Sequence, residues 1–251
     1  MEACVDSVES AVNAEAGGAV RLEICASLAE GGLTPSSGLV TVIMDSVDIP
    51  CNVLIRPRAG DFVYSDLEMR IMEYDMETMI SLGVNGLVFG CLDVEGNIDQ
   101  DNARRLVTFA RSKKSDISLT FHRAIDMTRD ILSSARTVVN LGFHRILTSG
   151  GEQSARAGVD MIRELVREVG QDIIIMPGAG INANNLQEIL SKTNCPEFHA
   201  SAREVKQSEM KYQNESCSMG SNGEEYRIMI TSVKKVQTLV KIFLDFSSGN
   251  T

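Results

Sequence analysis

Apolar residues recur along this chain in two alternating rhythms. Short segments rich in Val, Ile, Leu and Phe mark strands at Glu2 to Asp6, Arg21 to Cys25, Asn52 to Arg56, Gly86 to Gly90, Ile117 to His122, Arg145 to Ser149, Ile173 to Pro177 and Glu197 to Ser201. Between them the spacing turns helical. Ser65 and Glu68 form a capping box before a periodic stretch that stops at Gly83. Val233, Val236, Leu239, Val240 and Phe243 repeat at helical intervals in the last element, which Thr231 or Ser232 can cap. Eight strands alternating with helices over 251 residues predict an α/β fold, a (β/α)8 TIM barrel in a single domain over residues 1–251. An open doubly wound sheet is the alternative, but a first strand beginning at residue 2 can zip against the eighth and favours closure. Residues 202–227, polar and rich in Ser, Asn, Glu and Gly, read as a long irregular loop between the eighth strand and the last helix.

Alternation within each strand separates two faces. Val5, Leu22, Ile24, Val53, Ile55, Leu119, Phe121, Ile146 and Phe198 form a uniformly apolar set that suits packing against the helices. The opposite set is Glu2, Cys4, Glu23, Cys25, Arg56, Thr120, His122, Arg145, Glu197 and His199. Buried charges cost several kcal/mol each unless paired, so this ring either pairs internally or meets water and ligand. Two readings follow: a structural ion-pair network that fixes strand register, or a site at the barrel mouth.

"EAC" in the first strand and "EIC" in the second repeat a Glu-x-Cys pattern, displaced by 21 residues in both members. At equivalent positions on neighbouring strands, Cys4 and Cys25 would lie close enough to share one ion. Two soft thiolates suit Cu(I) better than zinc, which normally takes four ligands. The adjacent Glu2 and Glu23 carboxylates are expected to raise the thiol pKa values, so that metal binding strengthens as pH rises. Of the other cysteines, Cys51 and Cys195 read as packing residues, Cys91 as a candidate third ligand near the mouth, and Cys217 with Met219 as a soft pair on the long loop. Met69, Met72, Met76 and Met79 follow helical spacing and read as a core face.

Composition narrows the partners. A formal charge of −10 and a pI near 4.9 argue against nucleic acid or an anionic membrane as partner. No apolar run is long enough for a membrane span, and six cysteines without CxxC pairs resemble neither a secreted disulfide framework nor a zinc ribbon. A cytoplasmic, reduced protein is expected.

Glycines follow the sixth strand in "RILTSGG" and the seventh in "IIIMPGAGI", where backbone N–H groups can approach an anion. Gly150, Gly151, Gly178, Gly180 and Ser201 are therefore candidates for binding a small anionic or phosphorylated metabolite, with ordinary tight turns as the plainer explanation. "TFHRAID" places His122 inward at the end of the fifth strand. Were the barrel an enzyme, His122, His199, Arg56 and Glu23 would be its candidate catalytic residues.

The segments "EACVDS", "LEICASLAEGGLTPS", "IRPRAGDFVYSDLE", "GLVFGCL", "FHRAID", "GFHRILTSGG", "MPGAGI" and "EFHASAR" follow one another along nearly the whole chain. In this the sequence resembles the CutC copper-homeostasis family. The resemblance implies a cytoplasmic TIM barrel that forms dimers or tetramers and handles copper. It also implies that Cu(I) is bound through the thiols of the two Glu-x-Cys strands, which fall here on Cys4 and Cys25. Two departures stand out: Ile125 where Phe is common, and Ala179 where a third Gly is common, its methyl group restricting backbone approach.

Overall fold

All eight apolar segments form strands: β1 (Glu2–Val5), β2 (Arg21–Ile24), β3 (Cys51–Leu54), β4 (Gly86–Phe89), β5 (Ser118–Phe121), β6 (Arg145–Thr148), β7 (Ile174–Pro177) and β8 (His199–Ala200). The structure is a computed structural model that describes residues 1–214, 216, 217, 219 and 225–249. The strands pair in parallel in the order β7-β6-β5-β4-β3-β2-β1-β8, so β1 joins β8 and the sheet curls into a nearly closed barrel. Sequential strand order rules out the doubly wound alternative, whose order reverses at a switch point.

Eight helices lie on the outside: α1 (Val8–Ala16), α2 (Ser37–Met44), α3 (Asp66–Ser81), α4 (Gln100–Lys113), α5 (Ile131–Leu141), α6 (Val159–Val169), α7 (Leu186–Thr193) and α8 (Val233–Gly249). The apolar strand face predicted from alternation is fully buried against them, from Val5 and Leu22 round to Ile146 and Phe198. Each such side chain contributes about 1.5–3 kcal/mol. Ser65 and Glu68 form the predicted reciprocal capping box at the start of α3, whose four methionines, Met69, Met72, Met76 and Met79, all lie in the core. Helix α8 covers the seam beside α1. Val236 of α8 packs so closely on Gly17 that a Cβ there would lie 2.5 Å from it.

The stretch after β8 differs from expectation. It contains an antiparallel hairpin, β9 (Arg203–Gln207) and β10 (Arg227–Thr231), paired from Arg203↔Thr231 to Gln207↔Arg227. The hairpin is tied to α1 by Lys206 Nζ, 2.9 Å from Glu9, and by the Thr231 N–H donating to Ser10 Oγ. Its strands carry several charged residues and are only partly buried, so the composition looked like loop although "RIMIT" has strand propensity. No helix of the described residues is long and apolar enough to cross a membrane.

Candidate functional site

The inward-facing polar residues separate into two tiers. The lower tier lies at the strand beginnings and consists of ion pairs. Arg21 Nε donates to Glu2 at 2.5 Å and its Nη2 donates to Glu197; Arg145 Nε donates to Glu197 at 2.9 Å and its Nη1 to Ser118 at 2.9 Å. For these residues the structural network is the right reading: paired, shielded charges plug the bottom of the barrel. Arg21 shares the parity of Glu23 and Cys25, so alternation could have found it.

The upper tier contains the thiols. The β1–β2 ladder places Glu2 opposite Arg21 and Cys4 opposite Glu23, an offset of 19 residues in place of the 21 of the sequence repeat. Cys25 therefore stands beyond Cys4 along the barrel axis, with its N–H donating to Val5 O at 2.9 Å. Both cysteines line the same cavity, together with Glu23 and His199, and the Cys25 thiol donates to the Glu23 carbonyl oxygen at 3.8 Å. His199 joins the tiers. Its Nδ1 lies 2.8 Å from Glu2 Oε1 and its Nε2 3.4 Å from Glu23 Oε2.

Electrostatics distribute the protons unequally. The neighbouring Cys25 thiol, aided by His199, pulls Cys4 down to about 5 despite its burial. Cys4 in turn, reinforced by burial and the Glu23 carboxyl, pushes Cys25 well above the ordinary thiol value. The expectation that the carboxylates raise both thiols thus fails for Cys4, where the neighbouring thiol and the imidazole lower it. Burial drives Glu23 up to about 8, with His199 opposing and Glu2 and Cys4 adding repulsion. Burial opposes charge on His199, but the neighbouring Cys4 and the bond to Glu2 raise it well above its usual value. Glu2 is likewise opposed by burial and still held at about 2 by His199 and Arg21. At neutral pH the cluster carries a Cys4 thiolate, a His199 imidazolium and a Glu2 carboxylate beside a protonated Glu23 and a Cys25 thiol.

The cavity above these groups has a volume of about 590 Å³. Arg56 and His122 also line it, together with Phe62, Leu54 and Ile181. His122 Nδ1 accepts the Ala124 N–H at 3.2 Å and so caps the short 3-10 turn Arg123–Met127. Burial and the nearby Arg56 charge hold His122 down at about 3, which leaves it neutral.

The glycine loops behave differently from the expected anion cradle. Among the described residues only Gly180 and Ser201 of the five candidates line the cavity. Gly150 N–H donates to Thr148 Oγ1 at 2.8 Å, and Gly151 N–H to Asp126 Oδ1 at 3.1 Å. Asp126 also accepts the Ser149 N–H at 2.9 Å and pairs with Arg123 at 2.8 Å, so a carboxylate of the chain itself fills the loop after β6. Gly178 serves packing: a Cβ there would lie 2.6 Å from Leu147 Cδ1 and 3.4 Å from His199 Cβ. Ala179 adopts φ +73°, a left-handed conformation that favours glycine, which explains why Gly is common at this position and leaves the alanine strained.

Of the remaining sulfur groups, Cys51, Cys91 and Cys195 are buried in the apolar core. Cys91 lies outside the cavity lining and burial raises its thiol pKa, which removes it as a third ligand. Cys217 and Met219 are exposed and do not line the cavity.

Fold and site together define a (β/α)8 barrel with a thiol, imidazole and carboxyl cluster at its carboxyl-end mouth. The model of the CutC family matches residues 1–204, and the chain belongs to that family. It is 47% identical to the copper homeostasis protein cutC homolog of Mus musculus over 98% of this chain and 89% of the mouse protein. It is 42% identical to a family protein CutC of Parabacteroides distasonis, over 96% of this chain and 98% of that one. Among solved structures, the copper homeostasis protein CutC of Streptococcus agalactiae superposes with a TM-score of 0.73 at 33% identity, covering 80% of this chain and 97% of that chain. A thiamine phosphate pyrophosphorylase from Pyrococcus furiosus shares the barrel at a TM-score of 0.59 and 14% identity, over 98% of this chain and 95% of that one, a likeness of fold alone.

Proposed function

We propose that this protein acts in copper homeostasis by holding one Cu(I) between Cys4 and Cys25. The observation that carries this reading is that Cys4 and Cys25, on adjacent paired strands, line the same cavity. Two thiols facing one cavity suit a soft monovalent cation. Cys4 is already ionised, so only the Cys25 proton has to leave. The His199 imidazolium balances the thiolate before the ion arrives. The hard-donor group of Glu2, Glu23 and His199 brings its ligand atoms within 4.8 Å of one another, but Glu2 is engaged by Arg21 and His199. This favours the sulfur pair as the metal ligands. The copper-homeostasis names carried by relatives at 47% identity support a copper-related role.

Titration with Cu(I) under anaerobic conditions against a competing chelator tests the proposal. Wild type is expected to bind one equivalent, with Cys4→Ala and Cys25→Ala each losing at least about tenfold in affinity. Unchanged affinity in both variants ends this reading. Cytoplasmic location and a dimeric or tetrameric assembly accompany the proposal as expectations, checked by fractionation and by light scattering.

A further inference from the structure

A cavity of about 590 Å³ is far larger than one ion needs, and the part of its lining around Arg56 and His122 is built of different materials from the thiol pair. Arg56 is only 6% exposed, yet it forms no ion pair among the described residues. Its hydrogen-bond partners are backbone carbonyls: Glu30 O at 2.9 Å and Gly32 O at 3.0 Å from Nη1, and Gly60 O at 2.8 Å from Nη2. Those bonds use the two terminal nitrogens and leave Nε buried without a partner. Neutral acceptors also leave the guanidinium charge uncompensated, an unusual and costly state for a buried cation.

His122 presents a matching feature. Because Nδ1 accepts from Ala124, the neutral ring carries its proton on Nε2, and that nitrogen too is buried without a partner. Phe62 bridges the two groups, with Arg56 Cζ 4.9 Å above its ring centre and the His122 ring centre 4.8 Å away. Two orphaned donors and one unbalanced positive charge thus flank a single aromatic ring on the cavity wall, with Leu28, Leu54 and Ile181 adding apolar surface.

We infer that this side of the cavity is a binding site for a small organic monocarboxylate, its carboxylate accepting from Arg56 Nε and His122 Nε2 and its apolar body lying against Phe62. One buried guanidinium without an ion pair matches one carboxylate. Of the other arginines in the lining, Arg123 is committed to Asp126 at 2.8 Å and Arg203 lies 4.0 Å from Asp6. The donors are other than the two thiols, so binding does not depend on copper.

Isothermal titration of the metal-free full chain with phenylacetate and butyrate tests this, with phenylacetamide and inorganic phosphate as comparisons. Phenylacetate is expected to bind at one site, about tenfold or more tighter than its neutral amide and tighter than phosphate. Binding should persist in Cys4→Ser and weaken about tenfold in His122→Phe. A crystal soaked with phenylacetate should show it between Arg56 and His122. Equal affinity for acid and amide overturns the inference, as does tighter binding of phosphate. No binding of either acid at about 10 mM, or density seated on the thiols, overturns it as well. The acid and amide comparison uses wild type, so it stands even where His122→Phe folds poorly.

Discussion

In the β1–β2 ladder Cys4 faces Glu23, so Cys25 stands one inward-facing position further along the barrel axis. This stagger makes the two sulfurs inequivalent: the neighbouring Cys25 and His199 lower the pKa of Cys4, whereas Cys4, burial and Glu23 raise that of Cys25.

Cys4 is therefore expected to titrate near 5, followed by thiolate ultraviolet absorbance. Removing the neighbouring thiol in Cys25→Ala should move the midpoint up by about one unit or more. A midpoint that stays put would show that the Cys25 thiol does not set the ionisation of Cys4.

Cu(I) uptake near pH 7 should release about one proton per ion, because Cys25 holds its proton and Cys4 has already lost its own. Calorimetry in buffers of different ionisation enthalpy reads that number directly. Affinity should rise with pH. Release of two protons would mean that both thiols start protonated.

His122 resists protonation in the folded chain, with its pKa held at about 3, whereas the unfolded chain protonates it at the ordinary histidine value. The unfolded state then binds the extra proton between those values. The stability this group contributes is complete above about pH 6.5 and is lost on acidification toward 3, by on the order of 1 kcal/mol per pH unit. Urea denaturation of wild type and His122→Phe from pH 7 to 4 should show the variant with the shallower decline.

Arg21 bridges Glu2 and Glu197 beneath the cavity. Arg21→Met leaves two carboxylates short of their partner and should cost about 3–5 kcal/mol in chemical denaturation. Adding Glu197→Gln to that variant should recover part of the loss; further destabilisation would contradict the ion-pair account.

Much of this arrangement was legible in the sequence because strand alternation is local: the apolar outer face from Val5 to Phe198 and the inward placing of Cys4, Glu23, Cys25 and His199 follow from parity alone. What parity does not give is register. The Glu-x-Cys repeat suggested level cysteines, whereas the hydrogen-bond ladder adopts an offset two residues shorter. Nor does local pattern say which inward charges pair. Glu2, Arg145 and Glu197 looked equivalent to His199 and Arg56, and only their partners separate them: Arg21 ties Glu2 to Glu197 and Arg145 pairs with Glu197, whereas His199 and Arg56 line the cavity. The hairpin after β8 was hidden by its polar composition, and the loss of Gly150 and Gly151 as anion donors depended on Asp126, some 25 residues away in sequence.

That carboxylate has one more effect. Because Asp126 is covalently part of the protein, it competes for the backbone donors after β6 as an intramolecular guest, at a local concentration no dissolved metabolite matches. Any anion reaching for the Ser149 and Gly151 N–H groups therefore meets a seat already taken, and the mouth is left to guests that do not need that loop.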